Sequence, residues 1–96
     1  MTDKYHEAEK LARELEASLS IQYGTILSLS DLQKILAYPS EHAYRQAITR
    51  KVIPVPLFSM KHRRGQFALL RDAACFLACQ RVGVPFDVAK KGGDES

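Results

Sequence analysis

Leu27–Arg50 reads LSLSDLQKILAYPSEHAYRQAITR, two short helical patterns with almost nothing between them. Leu29, Leu32, Ile35 and Leu36 recur at helical spacing and form one apolar stripe. Ser28 with Asp31, and Ser30 with Gln33, both fit a capping pattern, so this helix opens at one of two places half a turn apart. Tyr38-Pro39 stops it, because the residue before a proline disfavours helical geometry. Ser40 then caps a second helix reaching about Arg50. Tyr44, Ala47 and Ile48 face inward along it, leaving Glu41, His42, Arg45, Gln46 and Thr49 outward. Two helices joined by about four residues, the second short, basic outside and apolar inside, have the arithmetic of a helix-turn-helix.

Downstream the period changes. Val55 and Leu57, and then Phe67 to Leu70, read as two strands of a hairpin. Lys61-His62-Arg63-Arg64-Gly65 forms its turn, where Gly65 supplies a positive φ. Pro54 and Pro56 cannot donate to a ladder, which sends the first strand to an edge or delays its start. A last helix begins at Arg71 or Asp72, packs Ala74, Cys75, Phe76, Leu77 and Ala78, and ends at Gly83 and Pro85.

Upstream, Ala8, Leu11, Ala12, Leu15 and Leu19 mark an amphipathic helix from about Asp3 to Leu19. Its stripe has two candidate partners, the domain's own core or a second copy of the chain through Leu11, Leu15 and Leu19. The fold class expected is therefore mainly α with a small β-hairpin wing: a winged helix-turn-helix over residues 26–88. An amphipathic helix over residues 1–20 precedes it, and a disordered tail over residues 89–96 follows.

Ninety-six residues, 46% of them apolar, suffice for one modest core. The formal net charge of +3 hides a segregation along the chain. Residues 1–20 carry Lys4, Lys10 and Arg13 against Asp3, Glu7, Glu9, Glu14 and Glu16, a net −2. Residues 41–71 carry Arg45, Arg50, Lys51, Lys61, Arg63, Arg64 and Arg71 against Glu41 alone, a net +6. A block of that kind attracts a polyanion. No apolar run approaches the length of a membrane span, and the polar N-terminus is unlike a signal peptide, so a soluble cytoplasmic protein is expected.

Cys75 and Cys79 lie four apart on one helix, a spacing that gives a disulfide little loop to constrain. It is also not the tight Cys-x-x-Cys turn of structural zinc fingers. Two small core-facing thiols are the plain reading, and a metal or thiol sensor with His42 or His62 is the alternative. No phosphate loop, nucleophile elbow or acid pair is present. Neither an enzyme nor a cofactor is expected.

From Leu27 to about Arg81 the chain resembles the small winged-helix proteins of the MerR superfamily branch that includes phage excisionases, AlpA-type regulators and pyocin-activator-type regulators. The resemblance rests on Leu27-Ser28-Leu29 entering the first helix, Ser40 capping the second, and Tyr44-Arg45 with Ala47-Ile48 along it. Ile53-Pro54 leading to the wing, and Leu70-Arg71-Asp72 with Phe76-Leu77 in the last helix, complete it. Lys51 stands where that family commonly ends its recognition helix with glycine, and the N-terminal helix has no counterpart in the minimal family domain.

The resemblance implies a recognition helix from Ser40 to Arg50 in the major groove, with Glu41, His42, Arg45, Gln46 and Thr49 facing base edges, while the free amides at its Ser40 end offer a phosphate site. Lys51, Lys61, His62, Arg63 and Arg64 would meet phosphates or the minor groove. The residue types suit that work: Arg bonds guanine in a bidentate manner, Gln adenine, and Glu accepts from the cytosine amine, while a compact run of cations suits the backbone. The expectation is a small bacterial or mobile-element protein that binds double-stranded DNA sequence-specifically. It would act as a transcriptional regulator or recombination directionality factor, as a homodimer or cooperative oligomer, contacting a recombinase or RNA polymerase. The alternative is a protein-interaction adaptor or inhibitor that uses the same fold and its N-terminal helix.

Overall fold

The computed structural model describes residues 3–86. Within them the order is α1 (Lys4–Tyr23), β1 (Ile26–Ser28), α2 (Leu29–Leu36), α3 (Glu41–Thr49), β2 (Phe67–Leu69) and α4 (Leu70–Val82). The coarse expectation, mainly helical with a small antiparallel β element, holds. No helix among the described residues is long and apolar enough to cross a membrane. The expected tail, and the last residues assigned to the 26–88 unit, lie outside the described residues.

Helix α4 is the central element. Its Leu70, Ala73, Ala74, Ala78 and Cys79 are all buried, on more than one side of the helix, because α1, α2 and β2 all pack against it. Small side chains at most of these positions let the neighbours approach closely. The main core joins Leu27, Leu32, Val55, Ala68, Leu70 and Ala73, and Leu19 and Tyr23 of α1 pack against it. Leu27, Leu32 and Leu70 are fully buried, each contributing about 1.5–3 kcal/mol relative to exposure. A second cluster seats Ala8 of α1 against Cys79 and Val84, flanked by Cys75, Val82 and Phe86. Neither cysteine is in a disulfide, and both lie in this α1–α4 contact.

Asp3 caps α1 by accepting from the Tyr5 amide at 3.0 Å. The helix runs to Tyr23, one turn beyond the expected end at Leu19. Gly24, at φ 78° and ψ −167°, then adopts a conformation open essentially to glycine alone. That bend delivers the chain directly into β1.

The hairpin expectation is corrected. β2 pairs antiparallel with β1, in the register Ile26↔Leu69, Leu27↔Ala68 and Ser28↔Phe67, and not with Val55 and Leu57. Only Phe58 bridges Phe67 from the other side, through two backbone hydrogen bonds of 2.9 and 2.8 Å. Pro54 and Pro56 withhold amides from that flank, and Val55 is buried in the core instead of extending a ladder. Leu27-Ser28 is thus strand before it is helix entry, and α4 begins at Leu70, one residue ahead of the expected Arg71 or Asp72.

Of the two candidate caps for α2, Ser28 is the one used: its Oγ accepts from the Asp31 amide at 3.1 Å. α2 ends at Leu36, and Ala37 takes the left-handed conformation at φ 59°. The Ala37 and Tyr38 amides donate back to Lys34 and Gln33, the two bonds of a Schellman ending.

Candidate nucleic-acid interface

Helix α3 has few anchors. Ser40 caps it, with Oγ accepting from the Ala43 amide at 3.1 Å, and Glu41 in the first turn suits the positive end of the helix dipole. Tyr44 and Ala47 are its buried residues. The Tyr44 ring lies 5.0 Å from that of Tyr38 in the preceding turn, and its hydroxyl donates to the Leu29 carbonyl at 2.6 Å. The anchor therefore spans the turn and ties the start of α2 to the middle of α3.

Burial, with a further push from Tyr38, raises the Tyr44 hydroxyl from 10.0 to about 12. Below pH 10 this tyrosine is neutral in both folded and unfolded chains. Between pH 10 and 12 the unfolded chain ionises it while the fold resists, so stability falls across that window. Denaturant midpoints should decline from pH 9 to 11, and Tyr44→Phe should show a shallower decline.

The opposite face of α3 is exposed. His42, Arg45, Gln46, Thr49 and Arg50 fall on one side and line a shallow hollow of about 240 Å³. Four of them, His42, Arg45, Gln46 and Thr49, are expected to face base edges, and Arg50 belongs to the same expected recognition helix. Glu41 stands outside the hollow, its carboxylate accepting from Nη2 of Arg45 at 3.0 Å. The i, i+4 spacing of Glu and Arg was legible in the sequence, but this pairing was missed there because each side chain was assigned to a base of its own.

α3 closes on Arg50, and Lys51 takes φ 58°. The amides of Lys51 and Val52 donate to Ile48 and Ala47, both at 3.0 Å, a second Schellman ending with a lysine at the position that favours glycine. The chain therefore leaves the helix at Lys51 without the glycine that most often makes such a turn. A left-handed non-glycine residue carries about 1–2 kcal/mol of strain, and glycine returns about 0.5–1 as lost chain entropy. Ala37→Gly and Lys51→Gly should each raise stability by up to about 1 kcal/mol, read as a higher urea midpoint. Val52, beside Lys51, is an exposed apolar residue that the sequence reading did not single out.

The loop after Phe58 carries Lys61, His62, Arg63 and Arg64, all exposed. It turns through a bond from the Arg63 amide to the Met60 carbonyl at 3.2 Å, with His62 at φ 63° and Gly65 at φ 85°. Arg63 folds back so that its guanidinium lies 5.0 Å from the centre of the Phe67 ring. Cation–π contact of this kind orients the charge without neutralising it. Leu11, Leu15 and Leu19 are half-buried on α1. Among the described residues no three His, Cys, Asp or Glu side chains gather as metal ligands.

Comparison of the chain with protein-family models, curated proteins and solved structures gave no match.

Proposed function

We propose that this protein is a winged helix-turn-helix that binds double-stranded DNA sequence-specifically, with α3 as its recognition helix. The observation that carries the reading is the sorting of α3 itself. Tyr44 and Ala47 hold one face to the body, while His42, Arg45, Gln46, Thr49 and Arg50 share the exposed face. That face is cationic, presents bidentate hydrogen-bonding groups and is not consumed by packing, which is what reading base edges in a major groove needs. Lys51, Lys61, His62 and Arg64 supply sequence-blind attraction to phosphates, and Arg63, braced on Phe67, points a cation from the wing. The output is occupancy of operator sites by a dimer or a cooperative row of protomers, serving transcriptional control or recombination directionality.

The adaptor reading has less support, because Ala8 and Leu19 of α1 are used within the chain instead of being offered to a partner.

The test is fluorescence anisotropy of the purified protein with the duplex upstream of its own gene and with a scrambled duplex, across a salt series. Expected is a preference for the former that survives near-physiological salt, with a log–log slope of about −4 to −6. Arg45→Ala and Gln46→Ala should each cost about 1–3 kcal/mol on the preferred duplex and relax the choice of base. Equal, salt-labile binding to both duplexes, unchanged by either substitution, would overturn the assignment of α3.

A further inference from the structure

We infer that Glu41 is a positioning residue for Arg45: it aims the guanidinium at a guanine and withholds it from phosphates. The inference rests on the reading of α3 as the recognition helix.

Glu41 is the only acid among residues 41–71, and it sits one turn before Arg45. That order, acid N-terminal to base at i, i+4, is the favourable one on a helix. The side chains meet at 3.0 Å with 75% of Arg45 and 68% of Glu41 exposed, so in the free protein the pair adds little to stability. Docking a duplex changes its weight. As water leaves the interface the local dielectric falls, and a charge pair already in contact strengthens.

The hollow on α3 decides what the pair is for. Arg45 lines it and Glu41 does not. Glu41 therefore holds Arg45 from outside the hollow. A guanidinium has five N–H donors in a fixed plane. Glu41 engages Nη2, and the donors that remain match guanine O6 and N7. An arginine without this tether can swing to the nearest phosphate, a contact available on every sequence. With the tether, leaving the base edge means abandoning Glu41 and bringing an uncompensated carboxylate toward the backbone. Glu41 thus acts as a repulsive element that lowers affinity for all duplexes and raises the ratio between the right one and the wrong ones.

The experiment uses a duplex selected by the unmodified protein from a randomised pool, each single-base-pair variant of it, and a random-sequence duplex of equal length. Glu41→Gln should leave the thermal midpoint nearly unchanged. It should tighten binding to the random duplex about three- to tenfold at low salt, and lower discrimination about three- to tenfold at one G·C pair. That pair should be the one whose preference Arg45→Ala removes, and Glu41→Gln made on Arg45→Ala should lower discrimination no further. A loss at a different base pair, additive with Arg45→Ala, would show Glu41 reading a base itself and overturn the inference. Unchanged discrimination by Glu41→Gln, with the Arg45→Ala effect intact, would overturn it too while leaving the recognition helix in place. Discrimination untouched by Arg45→Ala, or a pool that yields no preferred duplex, would remove the recognition reading and this inference together.

Discussion

Tyr44→Ala is expected to lower unfolding free energy by about 3–5 kcal/mol and to abolish preferred-duplex binding in whatever chain remains folded. Tyr44 is 3% exposed and is the only large side chain that α3 buries. Its loss leaves Ala47 as the remaining buried residue of that helix. Against a total of about 5–15 kcal/mol for a domain of this size, the change consumes a large share of the stability. Tyr44→Phe isolates the hydroxyl. The ring packing on Tyr38 survives, the bond to the Leu29 carbonyl does not, and the expected cost is about 1–2 kcal/mol. Urea unfolding of the three proteins, followed by circular dichroism, checks both values. An alanine variant within about 1 kcal/mol of the unmodified chain would mean that α3 is held by something other than Tyr44.

Removal of residues 1–20 should leave a chain without a cooperative unfolding transition. Helix α1 is not an appendage. Ala8 fills the contact with Cys79 and Val84, and Leu19 packs against the main core. Without α1, the side of α4 that holds Cys79 faces water along its length. Ninety-six residues already give only a modest core, and the loss of a whole covering helix exceeds what such a core can absorb. A graded version is Ala8→Asp, which places a carboxylate in a contact that is 5% exposed at Ala8. Its expected cost is about 2 kcal/mol or more. A truncated chain that melts cooperatively within a few degrees of the full one would show that α4 does not need this cover. In that event the stripe would be available to a second copy of the chain or to a partner.

The helices were legible in the sequence because their signals are local. Ser28 and Ser40 cap where capping chemistry places them, Tyr38-Pro39 separates α2 from α3, and Gly83 ends α4. The exposed face of α3 followed from the same periodicity. The sheet was not legible, because the pairing of Leu27 with Ala68 depends on two short segments that lie far apart in the chain. Three residues on each side give no alternation long enough to announce a strand. Val55 and Leu57 carried the apolar pattern of a strand, but prolines on either side of Val55 turned that stretch into core filling. The braces on Arg45 and Arg63 are side-chain geometry. Spacing alone permitted both contacts and could not choose them over solvent.

The β1–β2 pairing also sets an order of events during synthesis. α2 and α3 leave the ribosome before residues 67–69, yet the residue that leads into α2, Leu27, has no strand partner until Ala68 emerges. α4 follows β2 without a break, and α1 waits for α4 before it can be covered. The nascent chain therefore holds the proposed recognition surface unfinished until residues 67–69 have been made. Closing so long a loop is slow compared with forming either helix. A chain that stalls before Ala68 would present its basic segment without the strand pairing that frames α2 and α3 in the finished fold.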